Sequence, residues 1–344
     1  MTLPSSTRQF CYPEPGSSPN LVIREVPVAA PKSNEVLVRT HAVSLQFGDI
    51  IIARGGYPGP LPPNLVPGSD LAGEVIAVGA DVTQWRTGAR VCGNPTFGKL
   101  YELGAAAGAA LGRPDGVLTE YRIFPADSLV SVPGHLSYEE ASTLPSSALT
   151  AYNALASGQP LKAGDTVLIQ GTGGVSIFAL QFAIASGATV ICTSSSDAKL
   201  KVATKLGAKY VINYKTTPNW EQEVLRLTGG VGVDRIIEVG GTATLKQSLA
   251  AIKRGGNVDL IGVLGGMRDI SPPDIVMPCI VKEVTLRGVW SGSAAHWAGM
   301  SKFIAANVEA TRPVIDRVFD FEAAREALAY LELQGHVGKV VIKI

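Results

Sequence analysis

Soft metal ligands are scarce in this 344-residue chain, which holds four cysteines and four histidines. Cys11, Cys92, Cys192 and Cys279 lie far apart and form no C-x-x-C, which argues against a zinc ribbon and a disulfide framework. His41, His135, His296 and His336 fall into no H-x3-H spacing. An excess of one charge is missing too. With 30 basic and 29 acidic residues, the chain has no field that would recruit nucleic acid or an anionic membrane. The segment Met1 to Ser6 has no basic stretch leading into an apolar core. No secretion signal is therefore expected, and a reducing, cytoplasmic location is. A nucleophile elbow is absent as well, which argues against hydrolysis.

Glycine, by contrast, is plentiful at 38 residues, and its placement is informative. Thr166 to Gln170 is a β-branched, apolar run entering Gly171-Thr172-Gly173-Gly174-Val175-Ser176, and a helical pattern leaves it toward Ala185. That layout predicts a strand, a tight turn and a helix N-terminus aimed at a pyrophosphate. Gly171 permits the turn, and Gly173 and Gly174 let backbone approach the ligand. Ser176 stands where the third glycine of G-x-G-x-x-G is expected. Residues 166–196 carry no Asp, Glu, Lys or Arg and so imitate a membrane span. Glycines at 171, 173, 174 and 187 cut that segment into pieces too short to cross a bilayer, and we read it as the buried heart of a parallel sheet.

The length suits about two domains. Residues 20–136 read as short strands with dense Pro and Gly punctuation, a partly open, barrel-like β domain. Within it, the alanines and glycines of residues 96–114 predict a long surface excursion. From about 137 strands recur near 167–170, 189–193, 210–212, 234–239, 257–263 and 284–290 with helices between most of them. This predicts an α/β, Rossmann-type, doubly wound parallel sheet. Phe321 to Leu333 reads as an amphipathic helix and Gly338 to Ile342 as a strand returning to the first domain.

Five stretches, in this order and spacing, resemble the medium-chain dehydrogenase/reductase superfamily over essentially the whole chain. They are Pro67-Gly68-Ser69-Asp70-Leu71-Ala72-Gly73-Glu74-Val75, Gly88-Ala89-Arg90-Val91, Leu144-Pro145 to Thr150-Ala151-Tyr152, the Gly171 turn, and Gly338-Lys339-Val340-Val341. The resemblance is nearest to the zinc-free branch of quinone oxidoreductases and related NADPH-dependent reductases. It implies a catalytic domain built from both chain ends, 1–136 and 301–344, with a nucleotide-binding domain, 137–300, inserted between. It also implies a homodimer joined through the last strands of the nucleotide domain. Zinc-dependent relatives place Cys, His-Glu and Cys where this chain has Gln46, Ser69-Asp70 and Ser146, so no catalytic zinc is expected. Residues 93–191 contain no cysteine, so neither is a structural one.

The second strand of the nucleotide domain runs into Ser194-Ser195-Ser196, where NAD-binding proteins usually place an acid. Small hydroxyls leave room for a 2′-phosphate, and by the resemblance Ser195, Lys199 and Tyr214 bind it, which makes the expected cofactor NADPH. Thr150, Thr172, Val175, Val239, Gly262, Val263, Trp290 and Lys339 join the expected cofactor contacts. Trp290 is an equally good candidate for a dimer interface.

Gln46 replaces an Asn of many zinc-free relatives and is a candidate amide donor. Tyr57 matches a loop tyrosine near substrate in quinone oxidoreductases, with packing of its Pro-rich loop an equally good reading, and Ser146 is the third candidate on the acceptor side. The expected activity is hydride transfer to an activated C=C or carbonyl bond of an enone, quinone or enoyl compound. The alternatives are a metal-free, NADP-dependent alcohol dehydrogenase or ketone reductase and a non-catalytic NADPH-binding protein.

Overall fold

The early strands pair antiparallel in the computed structural model, which describes residues 3–14, 18–56, 61–94, 115–265 and 274–344. Two compact units result. One comprises Met1–Ser147, Gly292–Ala305 and Pro313–Ile344, and the other Ala148–Ser291 and Ala306–Arg312.

In the first unit β1 (Ser6–Cys11) and β2 (Val22–Pro27) form a ribbon. A larger sheet contains β3 (Glu35–Ser44), β4 (Asp70–Val78), β5 (Arg90–Gly93), β6 (Tyr121–Pro125) and β7 (Leu129–Ser131). The late strands β14 (Ile315–Asp320) and β15 (Lys339–Lys343) join it, in the order β14-β15-β3-β4-β5-β7 with β6 on β3. The carboxyl-terminal strand thus returns to the first unit, as its sequence predicts. A Cβ at Gly73 would collide with the Arg39 carbonyl, so β4 needs glycine where its pairing with β3 shifts register. Phe10, Val36, Val38, Leu71, Phe124 and Leu328 belong to the core of this unit. The excursion expected over 96–114 lies outside the described residues.

The second unit is one parallel sheet of β8 (Thr166–Gln170), β9 (Thr189–Ser194), β10 (Tyr210–Asn213), β11 (Val233–Glu238), β12 (Ile252–Leu260) and β13 (Thr285–Gly288). Its order is β10-β9-β8-β11-β12-β13. Connections reverse direction between β8 and β11, and ligands bind at such a switch point, beyond the carboxyl ends of the strands. Leu168, Ile191, Ile236 and Val258 are buried within the core, which explains the uncharged runs of β8 and β9. Among the described residues no helix is long and apolar enough to cross a membrane.

Candidate functional site

At the end of β8, Gly171 adopts φ +72°, a conformation that disfavours any side chain. Ser176 packs beneath the turn and donates from Oγ to the Gln170 carbonyl at 2.7 Å. A small hydroxyl therefore does what the missing third glycine would do, letting helix and strand approach while tying the turn shut. A Cβ at Gly173 would meet nothing within 4 Å, so the backbone there lies open to a ligand. The helix Gly174–Ala185 follows with no side-chain cap and no acid in its first turn, leaving its N–H groups and dipole available to an anion.

The expected cofactor residues gather at the strand ends. Thr172 Oγ1 lies 3.5 Å from Ser194 Oγ, and the Tyr214 N–H donates to the Ser194 carbonyl at 3.1 Å. Ser195 and Ser196 follow, and half-buried Lys199 lies in the first turn of the helix Asp197–Lys205. Asp197 accepts from Asn213 Nδ2 at 2.7 Å, which occupies the one acid near this turn.

The turns after β11 and β12 also meet. Gly262 donates to the Glu238 carbonyl at 3.3 Å and Leu264 to that of Val239 at 3.0 Å, bringing Val239, Gly262 and Val263 together. Buried Glu238 sets this arrangement, accepting from Gln170 Nε2 at 2.7 Å, Gly240 N at 2.8 Å and Gly241 N at 3.0 Å. Thr150 is buried in the helix Leu149–Ala156, whereas Trp290 is 68% exposed.

A second constellation lies wholly within the first unit. The antiparallel register sets Ser44 opposite Asp70, so Gln46, just past β3, reaches the start of β4. Gln46 Nε2 donates to Asp70 Oδ2 at 2.6 Å, and Gln46 Oε1 accepts from Ser147 Oγ at 3.1 Å. Asp70 Oδ2 also accepts from the Ser146 N–H at 2.9 Å. Its Oδ1 accepts from Ser146 Oγ at 2.6 Å, Asn94 Nδ2 at 2.8 Å and Ser69 Oγ at 3.1 Å. Leu144–Ala148, which carries Ser146 and Ser147, is a wide π-helical turn, a form often found at functional sites.

Lys339, at the start of β15, is buried and donates from Nζ to the Leu45 carbonyl at 2.5 Å. Burial pushes its ammonium down to about 8, opposed by the charges of Asp70 and Asp49. Burial raises the Asp70 carboxyl above its ordinary value, opposed by Lys339 and by its donors. The structure therefore puts the Lys339 ammonium beside the Gln46 segment. Tyr57 lies outside the described residues.

Sequence reading missed Asp70 and Asn94 as the centre of this network. Asp70 had a visible signal, since it stands at a position where zinc-dependent relatives place a ligand. Asn94 had none, because only the pairing of β5 with β4 carries it there.

Comparisons with known proteins agree with this geometry. The family profile described as alcohol dehydrogenase GroES-like domain matches residues 32–134, and that described as zinc-binding dehydrogenase matches residues 174–306. A zinc-type alcohol dehydrogenase-like protein of Schizosaccharomyces pombe is 43% identical over 319 residues, covering 90% of this chain and 91% of its own. The chain belongs to the medium-chain dehydrogenase/reductase superfamily. Human quinone oxidoreductase is 27% identical over 325 residues, 92% of each chain. A solved alcohol dehydrogenase candidate from Sinorhizobium meliloti 1021 superposes with TM-score 0.89 at 38% identity over 100% of both chains.

The second profile's description raises the question of zinc, and the donor chemistry answers it. Gln46 turns its nitrogen to Asp70, Ser146 gives its hydroxyl proton to the same carboxylate, and no thiolate or imidazole is among them. No group of three or more His, Cys, Asp or Glu able to hold a metal exists among the described residues. This donor set does not fit a zinc ion.

Proposed function

We propose that the protein is an NADPH-dependent, zinc-independent reductase acting on an activated C=C or carbonyl bond of an enone, quinone or enoyl compound. The observation that carries this reading is the amide of Gln46 anchored on Asp70, at the position where zinc-dependent relatives have a thiolate. Hydride addition to such an acceptor builds negative charge on a carbonyl oxygen, and a fixed N–H donor stabilises that charge without a metal. When bound, NADPH would supply the hydride.

The Gly171–Val175 turn and the helix behind it would hold the pyrophosphate, with Ser195, Lys199 and Tyr214 on the 2′-phosphate. These groups suit the cofactor in kind: hydroxyl and backbone donors stand at the strand ends, Lys199 is in the first turn of the next helix, and Asn213 engages Asp197. A solved mycobacterial relative, 27% identical over 98% of this chain with TM-score 0.81, was determined complexed with NADPH. Four free thiols suit a cytoplasmic enzyme. The exposed apolar face of residues 276–281 suits a homodimer.

The S. pombe relative, whose name is zinc-type alcohol dehydrogenase-like, favours the alcohol dehydrogenase chemistry of the second reading, a ketone reductase or alcohol dehydrogenase; that it would work without metal rests on the donors around Gln46. Turnover of an enone, a quinone and a simple ketone, with NADPH and with NADH, separates the two. We expect the enone or quinone to be reduced with NADPH preferred by about tenfold or more, the scale of one charge-assisted phosphate contact. Exclusive turnover of the ketone, or preference for NADH, overturns the proposal. Nucleotide binding in calorimetry without turnover of any acceptor would instead indicate a non-catalytic binder.

A further inference from the structure

We infer that Asp70 is a positioning residue that fixes which end of the Gln46 amide faces the acceptor. The inference rests on the proposed reductase reading. A glutamine amide has two nearly isosteric ends, one donating and one accepting, and only the donating end can stabilise a developing oxyanion. Rotating the amide by half a turn would present an oxygen and oppose the same charge.

One bond specifies the orientation here, and a second, from a hydroxyl able to serve either end, completes it. Asp70 Oδ2, which can only accept, takes a proton from Gln46 Nε2 at 2.6 Å, and Ser147 Oγ, at 3.1 Å, satisfies Gln46 Oε1. The remaining amide N–H of Gln46 has no partner among the described residues, and the side chain is half-buried rather than sealed. That hydrogen is the one left for an acceptor carbonyl.

Asp70 is itself held immobile. Asn94, Ser69 and Ser146 direct three donors to Oδ1, and the Ser146 N–H shares Oδ2 with Gln46. The carboxylate is fully buried, and donors engage both of its oxygens. Such a group serves as a fixed acceptor whose work is orientation, not proton transfer.

Asp70→Asn tests this, because it keeps the volume but introduces a donor that can satisfy Gln46 in the reversed orientation. Turnover of an enone is compared for the protein, Asp70→Asn, Gln46→Ala and the double variant. NADPH affinity and the melting temperature are measured on all four. We expect Asp70→Asn to lower kcat by roughly 100-fold, the scale of losing one oxyanion donor. In the Gln46→Ala background the same change should lower it by less than about threefold. The NADPH dissociation constant should stay within about twofold, because the turns and helices assigned to the pyrophosphate and the 2′-phosphate lie in the other unit.

An equal loss in both backgrounds overturns the inference, since a merely structural Asp70 acts regardless of what stands at 46. The side-chain NH2 resonances of Gln46 give a readout independent of turnover. One proton should be shifted downfield and protected from exchange, and Asp70→Asn should abolish both features. Absence of that signature overturns the inference even in an active enzyme. If the signature is present while no acceptor is turned over, the reductase reading fails and the orienting bond stands.

Discussion

Taking a lysine out of water costs free energy that a neighbouring carboxylate offsets only in part. Lys339 shows this, with its ammonium lowered from 10.5 to about 8 by burial against the attraction of Asp70 and Asp49. Because the folded value lies below the unfolded one, the unfolded chain binds more protons between these limits. Stability therefore rises with pH across that window. Relative to Lys339→Met, the protein should gain about 2 kcal/mol between pH 7 and pH 9.5, or roughly 5 °C in melting temperature. Thermal unfolding of both proteins at the two pH values measures it; a difference that stays constant or moves the other way contradicts the burial argument. Sequence reading selected Gln46 and Ser146 by position, and the structure joins them through Asp70. Lys339 was legible as part of a motif but not as a buried cation, because burial follows from the pairing of β15 with β3.

Elements were legible where chemistry is local. The capping box Ser137 to Glu140 is such a case, with the Glu140 N–H donating to Ser137 Oγ at 3.1 Å and the Ser137 N–H to Glu140 Oε2 at 2.9 Å. Boundaries shifted where tertiary pairing overrides pattern. β12 begins at Ile252, before the expected 257, because Lys253 to Gly256 reads as a turn; a register shift between Val233 and Arg235 on β11 accommodates it. β6 begins at Tyr121, since the N–H groups of Val117 and Leu118, just before it, bond to the Pro67 carbonyl at 3.0 Å instead of a strand. Charges in the last strands also had no readable role. Asp259 in β12 bonds Arg235 and Arg287 at 2.9 Å each, and both arginines reach the Ala154 carbonyl at the end of the helix Leu149–Ala156.

The helix Val276–Lys282 leaves Val276 61%, Ile280 64% and Val281 64% exposed, and β13 pairs among the described residues only with β12. Such a face beside an open sheet edge favours self-association. Sedimentation should show a dimer that Ile280→Asp with Val281→Asp converts to monomer. A monomeric parent, or a dimer indifferent to both changes, contradicts it.

At the scale of the molecule, the chain builds one unit from both of its ends and inserts a parallel-sheet unit between them. The fold class was legible because continuous apolar strands and the Gly171 turn are strong local signals. The acceptor-side network was legible only as a set of missing metal ligands, since its assembly from β3, β4, β5 and β15 needs the whole sheet. The central claim is that an anchored amide replaces a metal ion in stabilising charge on the acceptor. The most direct measurement is enone reduction with NADPH by protein treated with a strong chelator, with metal content determined on the same sample. The account predicts undiminished turnover with zinc far below one ion per chain. Activity that disappears on chelation and returns only when zinc is restored would contradict it.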